Sequence, residues 1–352
     1  MNTIRLATLL MSSSALLVLT AFMHSEKYGA TLLADELSSK PQLREVIVSH
    51  TDENSIFQLY RMKEDGTESR QLIKGDYHCV QPACSADGKK IIFVKRSNTG
   101  MAIWLCDTNG KNAKELIKSE RILLPSWLPD ATHIVWMSVG PLQRNQDPAS
   151  NSQLRIMNTE TGESRRLFTH PDQIKFNNAM PSISPDGTKV AFVSDRSGTF
   201  RIWVSKLDGS DAKLISPTPS EQDNILKLPL EQKVPIWSPN GKWIAHWEGV
   251  EMIHMSPFTG INNPKRDQQI AATFHVWVVG SNGRNRRKVG RGDDPTWSPD
   301  GYVTRAFPDP QRGGPKVIVE SKSGEKELPI VPRHQNWARF TWLPLSISQS
   351  EE

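Results

Sequence analysis

Apolar and polar residues alternate along most of this chain, and turns interrupt the alternation at short intervals. "KVAFVS" (Lys189–Ser194) and "RIWVSK" (Arg201–Lys206) are typical, rich in β-branched and aromatic side chains. Period-two runs bounded by Gly, Pro, Asp and Ser predict β-strands. Residues 180–216, "MPSISPDGTKVAFVSDRSGTFRIWVSKLDGSDAKLIS", contain four such strands in a row.

Two phrases repeat this unit. The first is Pro-x-Trp-Ser-Pro-Asp-Gly followed by an alternating strand. It occurs as "QPACSADGKKIIFV", "LPSWLPDATHIVWM", "MPSISPDGTKVAFV", "VPIWSPNGKWIAHW" and "DPTWSPDGYVTRAF", and a degenerate copy, "RFTWLPLSI", ends the series. The leading positions are Pro82, Pro125, Pro181, Pro235, Pro295 and Phe340. The second phrase is a strand, a turn closed by glycine and another strand, with Gly66, Gly110, Gly162, Gly209, Gly283 and Gly324 in the turns. In Ser-Pro-Asp-Gly, proline presets the first turn dihedral, aspartate bonds its own backbone, and glycine takes the left-handed position.

Each unit is therefore a four-stranded antiparallel meander that cannot bury both faces alone. Neighbours must stack, and radial stacking of such sheets builds a β-propeller. Trp127, Trp237, Trp297 and Trp342 in the first strands, and Trp104, Trp203 and Trp277 in the third, are expected to fill the space between sheets. The ends of the series predict how the ring closes. "EVIVSH" and "IFQLYRM" precede the first glycine phrase without a Pro-x-Trp-Ser phrase, and no strand follows the last one, at Trp342. The C-terminal strand should complete the first sheet, giving an all-β, six-bladed propeller with one-plus-three closure and two fewer exposed edges.

Composition narrows the function. Of 352 residues 37% are hydrophobic and 23% charged, which excludes a disordered chain. The net charge of +5 is mild, and the densest basic cluster, "NGRNRRKVGRG", lies on a hairpin tip, so nucleic acid is not an expected partner. Cys79, Cys84 and Cys106 have no CxxC spacing. Cys84 and Cys106 read as small core residues, and a Cys79–Cys84 bridge is left open. Residues 1–34 read as a secretory signal peptide and short leader: one early charge, then an apolar run from Leu6 to Met23. The alternative is an uncleaved membrane anchor. Residues 43–346 make the propeller and 347–352 a polar tail.

The phrases "SISPDGTKVAFVSDRSGTFRIWVSKLDGSDAKLI", "IWSPNGKWIAHW" and "TWSPDG" resemble the TolB-type propeller repeat, a relative of the WD-repeat propellers. The resemblance implies an envelope protein that binds protein partners, such as a peptidoglycan-associated lipoprotein, with calcium in the channel of some members. The repeat is also similar to the propellers of oligogalacturonate lyases and of prolyl-oligopeptidase-type peptidases. The α/β domain that precedes the propeller in the family is expected to be absent here. No Gly-x-Ser-x-Gly elbow is present, which argues against a peptidase.

Geometry points to one face. The tight Asp-Gly turns belong to one rim of the propeller; the links between strands two and three, and between blades, belong to the other. The second rim carries the long segments Val139 to Ser152, Thr169 to Asn178, Ser216 to Gln232 and Gly249 to Thr273. Long loops on one face are candidates for binding. Four residues before each leading position stand His78, Arg121, Asn177, Glu231, Arg291 and Asn336, with Asp294 nearby. By symmetry they are expected to ring the channel mouth on that face, as a site for a small anion, a sugar or a partner's side chain. Met252, Ile253, Met255 and Phe258 are candidate apolar anchors in the longest loop. His246 and His254 flank that loop; a metal site there would need Glu248 or Glu251 to converge, and loop packing is the simpler reading. No catalytic set and no cofactor is assigned, and nothing spells a calcium loop. The resulting expectation is a periplasmic or secreted, non-catalytic binding propeller that recognises a protein or cell-wall glycan. It would touch membrane only through its N-terminal segment. The alternative is a secreted carbohydrate-active lyase or hydrolase working at the channel mouth.

Overall fold

The computed structural model describes residues 43–119, 121–141, 151–216, 228, 230–250, 263–309, 314–321, 324–329 and 340–345. The alternating runs fold as expected, into six four-stranded antiparallel sheets. Blade 1 holds β1 (Glu45–Thr51), β2 (Phe57–Lys63), β3 (Arg70–Gln71) and the C-terminal β24 (Phe340–Trp342). Blade 2 is β4 (His78–Cys84), β5 (Lys90–Ser97), β6 (Gly100–Asp107) and β7 (Lys114–Ser119). Blade 3 is β8 (Ile122–Trp127), β9 (His133–Val139), β10 (Ser152–Asn158) and β11 (Ser164–Arg166). Blade 4 is β12 (Asn178–Ile183), β13 (Lys189–Ser194), β14 (Arg201–Lys206) and β15 (Lys213–Leu214). Blade 5 is β16 (Leu230–Trp237), β17 (Trp243–Val250), β18 (His275–Gly280) and β19 (Arg287–Arg291). Blade 6 is β20 (Asp293–Trp297), β21 (Val303–Asp309), β22 (Gly314–Ser321) and β23 (Gly324–Leu328). The ring closes with Val46 opposite Trp342 and Val48 opposite Phe340.

The turns follow their chemistry. In the first turn of blade 4, Ser184 Oγ donates to Asp186 Oδ1 at 2.5 Å and accepts the Lys189 N–H at 2.9 Å. That hydroxyl bond, with the Thr188 N–H, holds the Asp186 carboxyl below its ordinary range. In the second turn of blade 2, Gly110 has φ +83°, and an added Cβ would stand 2.4 Å from the Leu72 carbonyl oxygen. Both the backbone angle and the close approach of the preceding blade's link require glycine there.

One regularity was not evident from the repeats. The residue before the leading proline is left-handed in five blades: Gln81, Leu124, Met180, Val234 and Asp294, with φ between 42° and 55°. At each, the pairing of the first strand with the second slips by one residue. Proline has no N–H for the ladder, so the break falls where a bond is lost anyway. A residue before proline ordinarily stays extended, so each bulge stores about 1–3 kcal/mol that the surrounding packing must offset.

The core lies between the blades. Ala191, Ile202, Trp237 and Ile244 belong to one buried cluster spanning blades 4 and 5. The first-strand tryptophans act as struts. The indole N–H of Trp127 donates to Ala83 O at 3.0 Å, that of Trp237 to Ser182 O at 3.1 Å, and that of Trp297 to Ile236 O at 3.0 Å. Each reaches the first strand of the blade before it. Trp342 is equally buried, but its Nε1 meets no acceptor among the described residues. The third-strand tryptophans fill the gap only in part, Trp104 packing against the cluster between blades 1 and 2 and Trp203 against that between blades 3 and 4. Trp104, Trp203 and Trp277 are half-buried, each lying under a cation, from Lys95 at 4.5 Å, Arg196 at 4.8 Å and Arg286 at 3.5 Å. They sit farther from the axis, where solvent reaches the edge of the gap.

The architecture is nearly rather than wholly all-β. The long segment of blade 5 carries a two-turn helix, α1 (Pro264–Ala271), with proline at its start and an Asn263 side chain that caps the Arg266 N–H at 3.1 Å. Ile270 anchors it. No helix among the described residues is long and apolar enough to cross a membrane.

Candidate functional site

The first strands surround a central channel. On the tight-turn side it holds a cavity of about 450 Å³, bounded by Pro82, Pro125, Pro181 and Pro295 and by Ser126, Ser182, Thr296 and Thr341, with Asp294 as the carboxylate in its described wall. On the loop-rich side a cleft of about 970 Å³ opens over blades 1 to 3. Gln81 lines both spaces. Its Oε1 accepts the Leu124 N–H at 2.8 Å, which ties blade 2 to blade 3 where the openings meet.

The cleft is basic with apolar walls. His78 opens β4 and stands opposite Arg96 near the end of β5. Its Nδ1 accepts the Phe57 N–H at 3.2 Å, which leaves Nε2 as the ring nitrogen open to a ligand. Arg121 leads into β8, and its carbonyl accepts the Val139 N–H at 3.2 Å while the residue stays exposed. Lys95 lays its ammonium 3.7 Å from the Tyr77 ring centroid and 4.5 Å from that of Trp104. Among the described residues, Lys95, Arg96 and Arg121 have no carboxylate partner, and Asp76 is the one carboxylate along the wall. Ile56, Phe57, Val80, Met101, Leu123 and Val139 supply the apolar surface. Burial, then the nearby Cys79 and Asp76, raise the Tyr77 hydroxyl's pKa. Three cations in a concave, partly apolar wall concentrate a positive potential that attracts anions.

Of the sequence-derived mouth residues, the structure brings His78 and Arg121 into this cleft. Asn177 is held elsewhere, donating from Nδ2 to Asp195 Oδ2 at 2.6 Å. Glu231 is buried in β16 with Lys233 Nζ at 3.0 Å, both nearly inaccessible. Arg291 is exposed at the end of β19, its carbonyl accepting from Arg305 Nη1 at 3.1 Å. Asp294 lines the opposite cavity. Asn336, Met252, Ile253, Met255 and Phe258 lie outside the described residues. Sequence reasoning passed over Lys95 and Arg96, although "FVKRS" carries a basic pair at the point where strand two leaves its sheet toward the loops.

The other chemical candidates resolve into structure. His246 is wholly buried, 3.3 Å from Ser216 Oγ, and burial, with Arg286 nearby, pushes its pKa down to about 3. Glu248 accepts from Arg286 Nη2 at 2.6 Å and from Gln232 Nε2 at 3.2 Å. These residues serve the joint between blades 4 and 5. His254 and Glu251 lie outside the described residues, and among those described no three His, Cys, Asp or Glu side chains could share a metal. The "SDRSG" turn is structural as expected: Arg196 donates to Gln173 Oε1 at 2.5 Å and Asn178 Oδ1 at 2.8 Å. Burial lowers its guanidinium to about 10. All three cysteines are free, and burial raises each thiol to about 12. At such values they remain protonated and unreactive at neutral pH.

Residues 44–258 match the family described as "TolB beta propeller domain". The "Tol-Pal system protein TolB" of Bordetella pertussis is 26% identical over 160 residues, covering 35% of this chain and 36% of that protein. The match thus spans about a third of that relative's length. Two solved structures share the fold. TolB from Acinetobacter baumannii has a TM-score of 0.63 and 18% identity, covering 86% of this chain and 67% of that one. A putative TolB from Agrobacterium tumefaciens has a TM-score of 0.53 and 20% identity, covering 76% of this chain and 100% of that one.

Proposed function

Since this chain belongs to the TolB beta propeller family, we propose that it is an exported, non-catalytic binding propeller that holds a protein or cell-envelope ligand on its loop-rich face. The observation that carries the reading is the cleft over blades 1 to 3, whose cations have no carboxylate partner among the described residues and stand beside apolar walls. Such a surface is built to bind: apolar area supplies contact, and uncommitted charge supplies orientation. The N-terminal apolar run supports export to the periplasm or beyond, and the Bordetella relative is a Tol-Pal system protein.

Site-specific photocrosslinking in the native host tests this. A crosslinker at Asn98, beside the cleft, should trap a discrete partner, whereas one at Asn109, on a tight turn of the same blade, should trap none. Adducts from Asn109 alone would overturn the assignment of the face. Signal confined to the cytoplasmic fraction would overturn export.

A further inference from the structure

Building on the loop-face reading, we infer that the cleft over blades 1 to 3 takes an acidic, partly apolar peptide segment, whose carboxylates are gripped by Arg96 and Arg121. Both guanidinium groups are exposed in the cleft wall, and neither has an ion pair among the described residues. A planar guanidinium offers paired donors in the spacing of a carboxylate's two oxygens, so two uncommitted arginines in one concavity select that group over a neutral one. His78, with Nδ1 already occupied by the Phe57 N–H, has its Nε2 left open to the ligand.

The walls decide between a peptide and an acidic sugar. Sugars bind by stacking on a bare aromatic face. Here the Tyr77 ring is capped by Lys95 at 3.7 Å, and Phe57 is buried with its ring 5.8 Å from His78. The accessible apolar surface is instead aliphatic and thioether: Ile56, Leu123 and Met101 are each partly exposed along the cleft. Methionine adapts its shape to aliphatic side chains. The site therefore fits alternating acidic and aliphatic residues in an extended segment.

The test uses the full chain and three probes: a labelled peptide alternating Glu and Leu, its Gln-and-Leu counterpart, and an oligogalacturonate. The Glu peptide should bind, weaken as salt rises, and exceed the Gln peptide by about tenfold or more. R96Q/R121Q should lose at least about tenfold of that binding while the thermal unfolding midpoint stays in place. R96E/R121E should instead favour a Lys-and-Leu peptide. Equal binding of the Glu and Gln peptides, or tighter binding of the oligogalacturonate, would overturn the ligand class and leave the choice of face standing. Glu-peptide binding that survives R96Q/R121Q but is lost in A86W, at the opposite cavity, would overturn both.

Discussion

Two joints of the ring solve the same problem with different chemistry. Where blade 5 meets blade 4, Trp237 is buried and its indole N–H bonds to the Ser182 carbonyl. Where the last blade meets the first, Trp342 occupies the same register, yet its N–H has no acceptor among the described residues. Arg44 does the joining there. It bonds Glu64 at 2.6 Å and Asp300 of blade 6 at 2.6 Å, and its guanidinium carbon lies 4.6 Å from the Trp342 ring centroid. Around its indole the inner joint is apolar with a satisfied polar tip, and its ion pair, Arg286 with Glu248, stays within blade 5, whereas at the closing joint the ion pair itself bridges the two blades. Consecutive blades are tethered through the chain and need only complementary surfaces. The closing strand is brought back from the far end of the sequence, and a partly buried charge contact adds specificity to its register.

Three measurements sharpen or break this contrast. The largest effect concerns His246 in the inner joint. Its pKa lies near 3 when folded and about 6.5 when unfolded. Below about 6.5 the unfolded chain takes up a proton that the folded chain refuses, so stability is complete above that pH and falls by roughly 1.4 kcal/mol per unit toward 3. Denaturant titrations between about pH 6 and 4.5 should show this slope in wild type and a shallower one in H246Q; parallel slopes would refute it. Next, R44A leaves Glu64, whose side chain is only 8% exposed, without its partner. Because Arg44 itself is partly solvated, the expected loss is about 1–3 kcal/mol. It should be accompanied by faster amide exchange in β1 around Val46 and by a smaller dependence of stability on salt, which a purely apolar seam would not show. The smallest effect separates the two indoles. W237F removes a made bond and should cost about 1 kcal/mol more than W342F, which removes a donor with no acceptor among the described residues. Equal losses would mean that the two joints do not differ.

Much of the architecture was legible because it is repeated and local. The proline and glycine phrases fixed the turns, the alternation fixed the strands, and the unmatched phrases at the two ends foretold the pairing of Val46 with Trp342. The remainder depended on contacts that no local rule encodes. The left-handed Val234 contradicts the ordinary preference of a β-branched residue before proline, and only the packed ring imposes it. The helix Pro264–Ala271 was hidden because its run is polar apart from Ile270 and alanine. In the site, His78 and Arg121 line one cleft while Glu231 pairs with Lys233 in β16, a difference that symmetry alone could not give. Nor could it find Lys95 above Tyr77, a contact set by how blade 2 packs on the link that precedes it.

The one-residue slip before each proline divides every affected first strand into two segments with independent inside-out phase. The segment after the slip seats the indoles and must keep its pattern. The segment before it, where His78 stands in blade 2, can exchange a residue that lines the cleft without disturbing those seats. The tunnel can therefore be retuned at one end while the ring that supports it stays fixed.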